Sequence, residues 1–288
     1  MNAVYKRELR SYFRSMTGYV FIALLMAFAG IYFMVYNLQN GFPYFSRTLS
    51  GVITVFLFTV PLLTMRSMAE DRRSRTDQLW LTSPVSVGKV VLGKFFAMAT
   101  VFAVPTALLG VCPLIIGANG TWFPKTDYAT LLAFFLLGCV YISIGMFLSS
   151  LTESQVIAAV GTFGVLLLLN LWDSLTQYLP ESAFGSFVGF LVVALILCAL
   201  VWAITHSGVA TTCTAIVSAV GLLGVYLIKP SLLKGALPAL LGKLSLNTTF
   251  ANFYAYDLFD ATGLLAYVSV IALFVFFTVQ SVQKRRWS

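Results

Sequence analysis

The sequence predicts an all-α, polytopic helical membrane protein, because of its composition, its long charge-free runs and its uneven distribution of basic residues. Of its 288 residues, 59% are hydrophobic and 10% are charged, whereas about 25% of the residues in a soluble domain are charged. Mean hydropathy is +0.91. These values exclude a soluble globular domain, a disordered chain and a nucleic-acid-binding protein, despite the net charge of +8.

Eight charge-free runs predict membrane-spanning helices. About 20 apolar residues cross the hydrocarbon core of a bilayer, and a charge at its centre costs about 2.5 kcal/mol or more. The 47 residues from Ser182 to Ile228 carry no charge and are too long for one span. Because Thr205–Gly208 is their only polar break, we expect an additional helical hairpin at residues 184–228. The alternatives are a pair of long buried or re-entrant segments, and a total of six spans. The predicted spans are Gly18–Leu38, Leu49–Met65, Phe95–Gly117, Ala129–Leu148, Gln155–Trp172, Phe184–Ile204, Val209–Ile228 and Gly263–Val282.

The basic residues are concentrated on one side of these spans. Residues 1–16, residues 66–94 and the C-terminal end carry 13 of the 18 lysines and arginines. Because Lys and Arg favour cytosolic segments, we expect both termini to be cytosolic in a multi-pass protein of the cytoplasmic cell membrane. Residues 229–260 then form an extracytoplasmic segment, whose aromatic residues suit an interfacial belt, an external partner or a substrate.

Residues 1–16 predict an amphipathic interfacial helix. One face is apolar and the opposite face is basic, so the helix would lie in the membrane interface with its cations toward anionic headgroups of the lipid bilayer. The alternative is a simple charged anchor for the first span. The apolar face contains Tyr5, Leu9, Tyr12, Phe13 and Met16, and the basic face contains Lys6, Arg7, Arg10 and Arg14.

The cytosolic loop 66–94 predicts a contact with another protein. It mixes six cations with three acidic residues around the apolar Leu79–Leu81. Membrane anchoring needs no acids, whereas mixed charge beside apolar residues suits a short helix offered to a partner. A solvated loop that follows the positive-inside rule is the alternative.

A second cytosolic contact is predicted at the short turn 149–155. In this turn Thr152 with Gln155, or Ser150 with Glu153, would form a capping box for the next span. Such a cap does not exclude a contact with the same cytosolic partner.

We predict no catalytic, cofactor or metal site in this chain. Gly88–Phe95 follows a phosphate-binding loop pattern up to its last position, where Phe95 replaces the Ser or Thr that coordinates magnesium. The four cysteines lie in apolar runs without paired spacing, which favours small buried residues. The chain is therefore not expected to be an enzyme. Its few ionisable groups near the spans, Glu153, Asp173 and His206, lie at span ends or in the hairpin turn, which disfavours an ion-coupled carrier.

Several motifs together resemble a known family. In the long loop they are Ala69–Arg73, Thr76–Leu79, Leu81–Val85 and Val91–Phe95, and outside it Lys6–Leu9, Ser149–Gln155 and Leu244–Asn252. They resemble the coupling-helix region of type-2 ABC export permeases, most closely the gliding-motility-associated and nitrous-oxide-reductase-accessory branch. Two features depart from that family. Arg75 stands where the family often has Gly, and residues 184–228 exceed the usual six-span plan.

The resemblance implies one transmembrane permease domain over residues 1–288, coupled to separate cytosolic ABC ATPase subunits that bind ATP and Mg. It also implies a dimer with a second permease copy or a homologue. A membrane-anchored extracytoplasmic auxiliary protein is a further expected partner, because the alternative function is a non-transporting scaffold that transmits motion to such a protein. The implied ATPase contacts are Glu70, Asp71, Arg72, Arg73, Thr76, Asp77, Leu79, Trp80 and Pro84, with a second contact at Thr152, Glu153 and Gln155.

Overall fold

The fold is known from a computed structural model that describes residues 1–77, 86–120, 123–178, 182, 184–192, 235–243, 245–255 and 260–287. Within these ranges every regular element is a helix, which confirms the all-α prediction. The chain forms two compact units, one of Met1–Asn170 with Thr249–Ser288 and one of Leu171–Thr248.

The helices of the described ranges are numbered in chain order. A short helical segment at residues 184–192 is not numbered, and a π-helical stretch, Met34–Gln39, continues α2. The helices are α1 (Asn2–Arg14), α2 (Met16–Phe33), α3 (Ser46–Thr64), α4 (Ala69–Arg73), α5 (Val87–Leu109), α6 (Cys112–Asn119), α7 (Pro124–Leu151), α8 (Gln155–Gln177), α9 (Ala236–Lys243), α10 (Leu246–Ala255) and α11 (Ala261–Trp287).

Six helical stretches in the described ranges are long and apolar enough to cross a membrane, and they match six of the eight predicted spans. Most of the predicted hairpin at 184–228, including His206, lies outside the described residues. The hairpin and the choice between eight and six spans therefore stay predictions. The six stretches are Met16–Gln39, Ser46–Arg73, Val87–Ala118, Pro124–Leu151, Gln155–Gln177 and Ala261–Lys284.

Aromatic rings fill the centre of the first unit, where α3, α5 and α7 meet. The ring of Phe56 lies 5.6 Å from Phe102, 4.9 Å from Phe134 and 5.9 Å from Tyr141, measured between centroids. All four side chains are almost completely buried. Edge-to-face and tilted ring pairs contribute about 0.5–1.5 kcal/mol each beyond the burial of their area. The three helices therefore form a solid core that can position side chains at both of its ends.

The first unit has two ends with different polar chemistry. The stretch Met16–Gln39 runs from one to the other over 24 residues, about 36 Å at 1.5 Å per residue. We call the end that contains α1 and residues 65–77, 86–94 and 149–155 the basic end. The opposite end, residues 36–48 and 124–128, is the distal end.

Hydrogen bonds of Asn37 and Asp127 organise the distal end. The side chain of Asn37 donates to the backbone oxygen of Phe42 at 2.8 Å and accepts from the hydroxyl of Thr48 at 2.6 Å. The backbone N–H of Phe45 donates to the carboxylate of Asp127 at 3.0 Å. Because the first N–H groups of a helix lack partners within it, Asp127 ties the beginning of α7 to the beginning of α3.

The second unit contains one close helix approach that the sequence suggested. The predicted span beginning at Phe184 carries a Gly185–Gly189 pattern, which favours close helix packing. In the structure, a Cβ added at Gly189 would overlap the side chain of Leu237. In the same unit the indole N–H of Trp172 donates to the backbone oxygen of Leu241 at 2.8 Å.

Candidate functional site

The basic end gathers most of the described site residues that the sequence predicted. It combines α1, the segment after α3, the start of α5 and the turn between α7 and α8. Within the predicted cytosolic segment 66–94, residues 87–94 are helical and form the first two turns of α5, which begins at Val87. The buried side chains of Val87, Val90 and Val91 recur at helical spacing and explain this early start.

The short helix α4 is anchored to α7 by one serine. The hydroxyl oxygen of Ser149 accepts from the backbone N–H groups of Met68 at 3.2 Å and Ala69 at 3.1 Å. The same hydroxyl donates to the backbone oxygen of Met65 at 3.1 Å. A side chain from a different helix thus caps α4 where its own N–H groups lack partners.

A second link joins α4 to the turn that follows α7. The guanidinium of Arg72 donates to the backbone oxygen of Ser150 at 3.2 Å and lies 3.6 Å from the carboxylate of Glu153. The Glu153 side chain is 70% exposed, so this ion pair contributes only about 0–1 kcal/mol. The sequence named Arg72 and Glu153 separately, and the structure brings them together.

The strongest charge cluster of the basic end surrounds Lys94. Its ammonium nitrogen lies 2.7 Å from the Asp71 carboxylate and 3.4 Å from the Glu8 carboxylate, and it donates to the backbone oxygen of Ser67 at 2.6 Å. The Lys94 side chain is only 3% exposed. Asp71 also accepts from the hydroxyl of Thr76 at 3.0 Å. Three segments that are distant in sequence therefore meet at one buried cation.

The helix α1 lies directly on α5 beside this cluster. A Cβ added at Gly93 would come within 3.2 Å of the Val4 side chain, which is a tight contact. The Tyr5 and Thr100 hydroxyls are 3.0 Å apart. The phosphate-loop-like Gly93 thus permits a close approach of two helices.

Two further groups of α1 are fixed at this end. The hydroxyl of Tyr12 donates to the backbone oxygen of Leu63 at 3.2 Å, and burial raises the pKa of Tyr12. A 2.7 Å hydrogen bond to Glu8 raises the pKa of the Arg7 guanidinium. The inner face of α1 is thus held by α3 as well as by α5.

The outer face of α1 is basic and open. The side chains of the predicted basic face all line one shallow groove of about 460 Å³, together with Ala3 and Ser11. They are exposed, so they are available to an anionic surface. These side chains belong to Lys6, Arg7, Arg10 and Arg14.

The tip of the 66–77 segment is exposed. Arg73, Ser74 and Arg75 face solvent, whereas Glu70 is half-buried and accepts two hydrogen bonds from Arg66, at 2.7 and 2.9 Å. Arg75 has a φ of +56°, in the left-handed region that favours glycine. This is the position where the sequence departs from the Gly of the resembled family.

The turn before α8 differs from the predicted capping box. The hydroxyl of Ser154, rather than Thr152 or Ser150, accepts from the N–H of Ile157 at 3.4 Å. The hydroxyl of Thr152 accepts from the N–H of Ser154 at 3.2 Å, so Gln155 is the first helical residue rather than a capping partner. Serine suits the N-cap because its short side chain reaches the third N–H of the helix.

Three predicted contact residues, Leu79, Trp80 and Pro84, lie outside the described residues. Asp77 is half-buried at the end of the described segment. Sequence analysis missed two residues, Glu8 and Lys94, as parts of the site. The signal for Lys94 was a single cation inside the apolar run Val90–Ala99, where a charge is costly unless it is paired.

In the described ranges, no three His, Cys, Asp or Glu side chains come close enough to hold a metal ion. The thiols of Cys112 and Cys139 form no disulfide.

Residues 32–171, just under half of the chain, match the family model described as ABC-2 family transporter protein. The matched segment contains α3 to α7, most of α8 and the Lys94, Ser149 and Glu153 contacts. No curated protein matches the chain. The family match and the six apolar helices support a multi-pass permease subunit of an ABC transporter.

Proposed function

We propose that this chain is the membrane subunit of an ATP-driven exporter and that it receives force at α4 from a separate cytosolic ATPase. The observation that carries the proposal is the construction of the basic end. A short helix is bound to α7 by Ser149 and Arg72, to α5 by Lys94, and ends in an exposed tip at Arg73–Arg75. A rigid element with an open tip can transmit a push to several helices.

The proposal assigns the basic end to the cytosol. Positively charged residues favour that side, and α1, residues 65–77 and the start of α5 carry ten lysines and arginines at this end. At the distal end, Arg47 and Lys125 lie in the first turns of α3 and α7. The groove of α1 would then face anionic headgroups of the cytoplasmic cell membrane, which basic interfacial helices attract.

The energy source in this proposal is a partner. ATP and Mg would bind to the cytosolic ABC ATPase, and this chain would not itself be an enzyme. Two permease subunits, identical or homologous, would form the dimer, as permeases of the ABC-2 family generally do. The motifs at Ala69–Arg73 and Ser149–Gln155 support a place in the gliding-motility-associated and nitrous-oxide-reductase-accessory branch.

A non-transporting scaffold is the alternative function, and the observation that favours it is the aromatic core. Phe56, Phe102, Phe134 and Tyr141 fill the space among α3, α5 and α7. A core packed in this way can transmit motion from one end of the bundle to the other. An extracytoplasmic protein that co-purifies in fixed ratio, and on which ATP turnover depends, would favour this alternative.

Charge reversal at the exposed tip tests the proposed docking. The chain would be affinity-purified from its host membranes and the co-purified ABC ATPase quantified, for the wild type and the double variant Arg73→Glu with Arg75→Glu. We expect the amount of ATPase that co-purifies with the double variant to fall by about 10-fold or more. A 10-fold loss corresponds to about 1.4 kcal/mol of binding free energy. Asp71 is a poor docking probe, because its side chain holds Lys94.

The matched control is Arg47→Glu, a charge reversal at an exposed position of the distal end. It should leave the amount of ATPase unchanged. Absence of any ABC ATPase from the wild-type preparation, or equal loss in the control, would contradict the proposal. The Leu79→Asp variant extends the test, because it would bury a carboxylate in the same contact.

A further inference from the structure

Three oxygen atoms surround the ammonium group of Lys94. It donates to the backbone oxygen of Ser67 at 2.6 Å, and the carboxylates of Asp71 and Glu8 lie 2.7 and 3.4 Å from its nitrogen. The acceptors come from α4, from α1 and from the turn after α3. The charge therefore joins three elements to the beginning of α5.

This burial is not forced by the position of Lys94 in the helix. Lysine near the end of a membrane helix ordinarily extends its side chain to water. Lys89, five residues earlier on the same helix, is exposed. Lys94 instead is directed into the protein, where a cation is stable only with paired acceptors.

The two carboxylates are themselves fixed. Asp71 accepts from Thr76 at 3.0 Å, and Glu8 accepts from Arg7 at 2.7 Å. Their side chains are 18% and 14% exposed. The cluster is thus pre-organised from both sides, and Asp71 lies two residues before the exposed Arg73.

We propose that Lys94 is a positioning residue that locks α1 and α4 to α5, so that a displacement of the 66–77 segment moves α1 and the α5 span together. The lock itself is a property of this chain. Its role in ATP-driven motion rests on the proposed function, and the two are tested by separate measurements.

The lock is tested first without any ATPase. In the full-length chain the four cysteines would be replaced by serine, and spin labels would be attached to cysteines introduced at the exposed positions Ser11 of α1 and Ser74 of the 66–77 segment. In lipid nanodiscs, pulsed electron paramagnetic resonance gives the distribution of distances between the labels. We expect one narrow distribution in the parent chain and at least a twofold broader one in Lys94→Met.

Two further variants make this result decisive. Lys89→Met removes an exposed cation from the same helix and should keep the narrow distribution. The triple variant Lys94→Met, Asp71→Asn and Glu8→Gln leaves no unpaired buried charge, so it should fold even where Lys94→Met does not. A narrow distribution in the triple variant would overturn the lock.

The coupled role is tested in the complex with the co-purified ATPase. Lys94→Met leaves the exposed tip intact, so the amount of bound ATPase should equal that of Lys89→Met. In this complex the labels would instead be attached to cysteines that replace Ser11 of α1 and the exposed Lys125 of the distal end, so that the tip carries no label. Because a locked α1 follows the 66–77 segment, we expect ATP to shift the distance between these two labels in Lys89→Met and not in Lys94→Met. Equal ATP-dependent shifts in both variants would overturn the coupling role. If no ATPase co-purified with the parent chain, the proposed function would be contradicted. The nanodisc result on the lock would not be affected.

Discussion

The two ends of the first unit hold their segments together by different chemistry. At the basic end, buried charges join elements distant in sequence, as Lys94 does with Asp71 and Glu8. At the distal end, the short hydrogen bonds of Asn37 join neutral groups, and the buried carboxylate of Asp127 accepts from the neutral backbone N–H of Phe45. Removing one partner of a buried ion pair leaves an unpaired charge and costs much stability. Removing one partner of a hydrogen bond between neutral groups costs much less. The basic end is therefore more sensitive to the loss of one side chain.

The largest expected effect comes from Asp71→Ala. It removes the shortest carboxylate contact of the buried Lys94 and should lower the free energy of unfolding by about 3 kcal/mol. Thermal unfolding of the full chain in detergent would measure this loss. The control is Glu70→Ala on the same helix, because Glu70 pairs with the partly exposed Arg66 and should cost no more than about 1 kcal/mol. Equal losses in the two variants would remove the distinction between buried and exposed pairs.

A smaller effect is expected from Gly145→Val, which lies one turn before Ser149. A Cβ at Gly145 would overlap the hydroxyl of Thr64, so α3 and α7 would separate beneath the anchor of α4. Overpacking of this kind costs about 1–3 kcal/mol. Gly161→Val is the matched control, since Gly161 is exposed and a Cβ there meets nothing within 4 Å. Equal losses in the free energy of unfolding of the two variants would contradict a tight contact between α3 and α7 at Gly145.

At the distal end, Asn37→Ala should cost about 1–2 kcal/mol, because hydrogen bonds to Phe42 and Thr48 are lost without leaving a charge. The same unfolding assay measures it. The loss should not change between low and high salt, since no ion pair is broken. Tyr36→Phe, a nearby change outside this hydrogen-bond set, is the control. A loss as large as that of Asp71→Ala would show that the ends do not differ in this way.

The sequence predicted the helices well and the buried charges poorly, and one assumption explains both. Treating every charge as a span boundary located six spans. It also placed the start of one span at Phe95 instead of Val87, and of another at Ala129 instead of Pro124. In both helices the reason is a buried charge, because Lys94 and Asp127 lie inside the first turns rather than before them. Composition cannot tell a paired charge from a solvated one, because the pairing partners are distant in sequence.

The contacts of α4 also show that the sequence does not distinguish a paired charge from a solvated one. The sequence predicts that the charged residues Glu70, Asp71, Arg72, Arg73 and Asp77 all contact a partner. In the structure, Asp71 and Arg72 bind within the chain, while Arg73 and Arg75 remain exposed. Consecutive residues of a helix point in different directions, about 100° apart. A cluster of charges in sequence therefore divides into an anchoring set and an exposed set only when the helix and its neighbours are known.

The smallest expected effect has the opposite sign and concerns Arg75→Gly. At a φ of +56°, a residue with a Cβ is less stable by about 1–2 kcal/mol than in the right-handed region. Glycine removes that cost but has more freedom in the unfolded chain, worth about 0.5–1 kcal/mol. We therefore expect Arg75→Gly to raise the free energy of unfolding by about 0–1.5 kcal/mol. Arg73→Gly, inside α4, should lower it by about 1 kcal/mol. The pair of thermal unfolding curves checks the sign directly. If Arg75→Gly destabilised the chain as much as Arg73→Gly, the left-handed turn at the tip would be wrong, and with it the separation of the exposed tip from the anchored helix.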